Sequence, residues 1–94
     1  MALLDVLKQR LDYEYGDKHI DQMLSGIAEE GKAFLSRYCP GLDFEGPTIA
    51  RSLLVEYVRY SLSNALDDFS KNYHKELFAL SNRGRVLNAN GQEE

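Results

Sequence analysis

The chain has no tryptophan, one cysteine and two prolines in 94 residues. A single thiol, Cys39, excludes an intrachain disulfide and is compatible with a reducing compartment. It reads as a small apolar packing residue, the usual role of an isolated cysteine. No run of about 18 apolar residues is present, which excludes a transmembrane helix. The period-two alternation of half-buried strands is missing as well. So is a basic patch: the eleven Lys and Arg residues are scattered, Arg83 and Arg85 are the closest grouping, and the net charge is −4. Phosphate contact dominates nucleic-acid affinity, so this balance argues against a sequence-specific DNA binder. The chain contains no glycine-rich phosphate loop, no G-x-S-x-G and no H-E-x-x-H, which points away from an enzyme and from any cofactor. MALLDVLKQRL places Asp5 early and its basic residues after the leucines, the wrong order for a secretory signal.

What is there is helical periodicity on a chain of single-domain size. Leu4, Leu7 and Leu11 fall on one face of a first helix over 2–11, with Asp5 placed to suit the helix dipole. Tyr13 to Asp17 reads as a break, with Gly16 its clearest punctuation. Asp17 is a good N-cap for a second helix, in which Ile20, Met23, Leu24, Ile27, Ala28, Phe34, Leu35 and Tyr38 share one apolar arc. Gly31 lies inside that arc, at about 1 kcal/mol below alanine in helix propensity. The expected compensation is close approach of another helix backbone. Cys39-Pro40-Gly41 ends the element, because proline disfavours helix at its predecessor.

Phe44, in the connector 41–46, is expected to turn back into the core. Gly46-Pro47 then opens a third helix, with proline expected in its first turn. Ile49, Leu53, Leu54, Val55, Tyr57, Val58, Tyr60, Leu62, Ala65 and Leu66 cover most of its wheel. Ser52, Glu56, Arg59 and Ser63 form the one polar strip, and Glu56 and Arg59 are spaced to pair across it. A helix apolar almost all round is a buried one. From Phe69 the pattern narrows to Phe69, Tyr73, Leu77 and Leu80. Asp67 or Asp68 is placed to cap a separate fourth helix; one continuous, bent helix fits the pattern equally. Phe78 lies off the stripe, as a candidate exposed contact. Residues 82–94 are rich in Asn and Gly, read as a flexible tail, and carry Val86 and Leu87 as apolar anchors able to dock on a partner. The expectation is therefore an all-α fold: a small bundle of about four helices over 1–81 around a buried third helix, followed by that tail.

Chemistry is sparse. His19-x-Asp21 and His74-x-Glu76 each set a histidine near a carboxylate, without the i, i+3 or i+4 spacing by which one helix face presents metal ligands. Asp67 and Asp68, adjacent on a helix, point about 100° apart, which suits capping or an ionic contact to another chain better than a shared catalytic site. Tyr57, Tyr60 and Tyr73 read either as core tyrosines with hydroxyls at the surface or as an interface cluster, where tyrosine is enriched.

The phrase IARSLLVEYVRYSLSNALDDFSKNYHKELFALS, residues 49–81, resembles the C-terminal helical region of phage head–tail connector proteins, the adaptor subunits that dock under the portal ring of long-tailed phages. The matching features are the leucine-rich helix, Tyr57-Val58-Arg59-Tyr60, the run Asn64-Ala65-Leu66-Asp67-Asp68-Phe69, and Asn72-Tyr73 followed by Glu76-Leu77. The N-terminal half agrees in outline. The resemblance implies a non-enzymatic subunit that self-associates into a ring on the portal and extends the DNA channel, with DNA only as passing cargo. It also implies docking to head-completion and tail proteins, and a place at the head–tail junction of the virion after assembly in the host cytoplasm. Tyr57, Arg59, Tyr60, Asp67, Asp68, Phe78, Arg83 and Arg85 are the expected interface residues, aromatics as anchors and charges as register-setting pairs. The rival expectation is a small bacterial helical adaptor or regulatory protein that binds one protein partner.

Overall fold

The first helix, α1 (Leu3–Leu11), buries Leu3, Val6 and Leu7; of the expected face only Leu7 is fully buried, and Leu4 and Leu11 lie half-buried beside it. It ends at Leu11, as expected. Asp12 adopts a left-handed conformation, φ 64°, and its N–H donates to the Lys8 carbonyl. Aspartate tolerates this region better than most residues and here takes the place glycine commonly holds after a helix. The computed structural model describes residues 2–46 and 48–82.

The second helix, α2 (Lys18–Ser36), starts as its sequence demands: the Asp17 carboxylate accepts from the backbone N–H groups of His19 and Ile20. Leu24, Ala28, Gly31 and Leu35 are buried along one face. Met23, expected in that arc, remains 39% exposed, at its edge. In the connector, Phe44 is buried, and the Asp43 carboxylate accepts from the N–H groups of Glu45 and Gly46, closing a tight turn.

The third helix, α3 (Ile49–Leu62), is capped by Thr48, whose hydroxyl accepts from the Arg51 N–H. The first-turn position expected for proline is thus held by Ile49, and Pro47 lies outside the described residues. Ala50, Leu53, Leu54, Val55, Tyr57 and Val58 are buried, so α3 is the centre of the fold, packed by α1, α2 and the next helix, α4 (Leu66–Asn72). Ser52, Arg59 and Ser63 face outward with Glu56 half-buried beside them, as the polar strip predicts. Ile49 departs from expectation: the first residue of α3, it is 65% exposed.

Helices three and four are not continuous. Ser63 ends α3, Asn64 takes φ 55°, and the Ala65 N–H reaches back 2.8 Å to the Tyr60 carbonyl. Ala65 occupies the N-cap of α4 without a side-chain bond. Asp67 and Asp68 therefore do not cap; they sit one and two positions into the first turn, where the dipole still favours acids. A further break at Tyr73, the C-cap of α4, separates it from a last helical segment, α5 (74–82). Helix-type bonds bridge the break, from the Tyr73 N–H to the Phe69 carbonyl and from the Leu77 N–H to the Tyr73 carbonyl. The described residues thus form an all-helical bundle of five segments, one more than the stripe suggests. The expected tail lies outside the described residues except for Asn82.

Candidate functional site

The left-handed turn at Asn64 brings α4 back against α3, and Phe69 is the side chain it delivers. Phe69 is 1% exposed and meets four rings: Tyr73 at 5.1 Å, Tyr57 at 5.6 Å, Tyr60 at 5.7 Å and Phe34 of α2 at 6.1 Å between centroids. Three of these contacts are edge-on, the arrangement favoured by the ring quadrupole. Tyr57 is buried in this cluster, while Tyr60 and Tyr73 are half-buried at its rim. Tyr57 is thus a core residue, and Tyr60 and Tyr73 keep part of their surface.

The rim carries a polar network. The Asn72 side-chain amide donates to the Tyr60 hydroxyl at 3.0 Å. Glu56 pairs with Arg59 at 3.4 Å, as their spacing predicts. Burial, chiefly, raises the Tyr73 hydroxyl above the usual tyrosine pKa, and the Glu56 carboxylate adds to this through its charge and a hydrogen bond. Burial, with a smaller contribution from Glu30, raises Tyr57 in the same direction. Arg59 also donates to the Arg10 carbonyl at 3.5 Å, placing its charge at the C-terminus of α1, where the helix dipole favours a cation. Arg59 therefore joins α3 to α1 as well as marking the surface. A shallow hollow of about 230 Å³ opens between Glu56, Arg59, Tyr60, Ser63 and Ala65.

The other expected interface residues sit apart. Asp67 and Asp68 are exposed at the start of α4. Phe78 is 57% exposed and stacks on His74, centroids 6.5 Å apart and planes 11° from parallel. Together they wall a second hollow of about 230 Å³ with Tyr38, Ser70, Leu77 and Ser81, and no residue lines both hollows. Arg83 and Arg85 lie outside the described residues.

One member of each histidine–carboxylate pair has another partner. Asp21 forms an ion pair with Lys8, which is buried at 4% exposure, and His74 is engaged with Phe78. Among the described residues no group of three or more His, Cys, Asp or Glu side chains is placed to hold a metal ion. No described helix is long and apolar enough to cross a membrane.

The Lys8–Asp21 pair is the arrangement the sequence reasoning missed. Lys8 lies one turn beyond Leu4 on the inner face of α1, and its ammonium also stands 5.0 Å from the Tyr15 ring centroid. The Tyr15 hydroxyl in turn donates to the Asp5 carbonyl at 3.5 Å. A lysine on an apolar helical face, with an acid in the first turn of the next helix, was the available signal. Compared with models of known protein families, with curated proteins and with solved structures, the chain finds no match.

Proposed function

We propose that this chain is a head–tail connector subunit of a phage or prophage. It would assemble as a ring under the portal, extend the channel through which DNA passes, and dock the next head-completion protein. The observation that carries the reading is the connector-like run at 49–81. Its apolar positions fold into one packed unit, α3 to α5, and its distinctive charged and aromatic positions stay accessible: Arg59, Asp67, Asp68 and Phe78 are all exposed. A subunit that works by contact needs a rigid core with anchors and charges left at the surface, and this run supplies both. Acidic character suits a channel that lets DNA slide, and the net charge is −4.

The test is mass in solution by light scattering across a wide concentration range, for the chain alone and mixed with the portal protein from the same genome neighbourhood. A stoichiometric ring complex on the portal is the expected result. A stable dimer that ignores the portal would overturn the reading in favour of a cellular adaptor. Charge reversal at Asp67 and Asp68 together should weaken assembly while leaving the fold intact. This pair is a cleaner probe than Arg59, which also holds the end of α1.

A further inference from the structure

The apolar stripe of the last three helices runs on as if the turn between α3 and α4 were not there. Val58, Leu62, Leu66, Phe69, Tyr73 and Leu77 follow one another in steps of three or four residues, straight through 63–65. No glycine or proline stands among Ser63, Asn64 and Ala65, so nothing in their side chains breaks a helix there. The turn itself is a common helix end. The Asn64 N–H donates to the Ser61 carbonyl at 3.0 Å, and the Ala65 N–H donates to the Tyr60 carbonyl at 2.8 Å. Its left-handed position, φ 55° at Asn64, is the one glycine ordinarily fills and a side chain disfavours. Ala65 then opens α4 without a side-chain cap. The residues of this corner hold it weakly, and the packing of the returning helices holds it in place.

That packing is separable as a unit. Phe69 sits among Phe34 of α2 and Tyr57 and Tyr60 of α3, and the Asn72 amide reaches the Tyr60 hydroxyl. At the far end Leu80 of α5 shares a groove with Ala50, in the first turn of α3, so residues 66–82 run back along that helix. Each of these contacts joins 66–82 to α2 or α3. None of them requires both partners to belong to one chain.

We propose that a second copy of this chain takes the same seat by exchange. In each copy α3, α4 and α5 straighten into one helix of about 50 Å, and residues 66–82 pack on α2 and α3 of the other copy. The contacts of Phe69, Asn72 and Leu80 are then remade between chains, and only the corner changes. Asn64 passes from the left-handed region into helix. Leu62 and Leu66, half-buried on either side of the corner, meet their counterparts at the two-fold axis. Association costs freedom of motion, so the closed monomer prevails in dilute solution.

Two substitutions at position 64 pull in opposite directions: Asn64→Gly favours the turn, and Asn64→Ala favours the helix. Each dimer carries two straightened corners, so the effect enters twice. Light scattering on the chain alone, up to millimolar concentration, should give a dimerisation constant about tenfold or more higher for Asn64→Ala than for Asn64→Gly, with the parent between. Should Asn64→Ala fail to fold, the parent against Asn64→Gly gives the same ordering. In a dimer mixed from isotope-labelled and unlabelled chains, nuclear Overhauser contacts should join Phe69 of one chain to Tyr57 of the other. Absence of a dimer in both the parent and Asn64→Ala at that concentration overturns the exchange. Equal constants, or Phe69–Tyr57 contacts within chains alone, overturn it as well and assign the dimer to surface association. No portal takes part, so failure here is distinct from failure of the connector reading, which is scored on the portal complex.

Discussion

Gly31 of α2 lies directly against Leu54 of α3. A Cβ built on Gly31 would stand 2.5 Å from Leu54 Cδ1 and 2.8 Å from Tyr57 Cδ1. The glycine is therefore a site of close approach between the two helices, made by side chains of α3 seated on the α2 backbone. The sequence predicts that a glycine in an apolar arc is compensated by close approach. The partner surface differs from the expectation only in being two side chains rather than a backbone.

Gly31→Ala should consequently destabilise the domain although alanine is the better helix former. Overpacking costs about 1–3 kcal/mol against a propensity gain of about 1, leaving a net loss on the order of 1 kcal/mol and a Tm lower by roughly 4–8 °C. Gly26→Ala is the control, since nothing lies within 4 Å of its Cβ position. It should raise Tm by a few degrees, having the propensity gain without the clash. Calorimetry on the two variants decides the matter; equal shifts would mean that Leu54 and Tyr57 simply move aside.

Loss of Asp21 should be worse than loss of the whole pair. Asp21→Ala leaves the Lys8 ammonium buried without its partner, at about 3 kcal/mol, the lower limit for broken buried pairs because the Asp21 side chain is 35% exposed. Lys8→Met combined with Asp21→Leu removes both charges and should cost less than the single change. Urea unfolding of the two proteins gives the comparison.

Alkaline pH should weaken the fold through the tyrosines. Tyr57 and Tyr73 hold their protons more tightly in the folded state than the ordinary value near 10. Their contribution is complete below that value and is lost as pH rises from it through the raised folded value, because the unfolded chain then releases protons more readily. Tyr73→Phe should flatten the fall in stability above pH about 10 relative to the parent. Subtracting the two pH profiles removes the titration of the lysines, which both proteins share.

The two phenylalanines after the Asn64 turn should answer oppositely. Phe69→Ala empties the centre of the ring cluster and should cost about 3–5 kcal/mol, much of the stability of a domain this size. Phe78→Ala should fall within about 0.5 kcal/mol, since the side chain is mostly exposed. Should Phe78→Ala nonetheless abolish portal binding, its value lies in the complex rather than in the fold.

Local signals in the sequence carried far. The Asp17 cap, the turn of Phe44 into the core, the buried α3 and the Glu56–Arg59 pair each depend on residues within a few positions or on one helical period, and each is present. What escaped depends on which elements meet. Lys8 is buried because α2 presents Asp21 to it, thirteen residues on, and no period encodes that contact. Ile49 is exposed at the start of α3, although its apolar character placed it in the core. The break at Tyr73 interrupts a stripe whose spacing continues undisturbed, since the bonds on either side keep helical register. Of the expected interface residues, Phe78 is exposed, as its place off the stripe predicts, whereas Arg59 has an internal bond that only the position of α1 reveals.

Seven residues make α4, and Phe69 is the one side chain among them that is buried. An isolated helix of that length is unstable in water, so every turn of it depends on that ring keeping its seat. The backbone amides of the segment then share a fate: when the ring leaves, they open together, and when it returns, they close together. In a deuterium-exchange experiment α4 would behave as one switchable unit within the bundle, set by a single side chain.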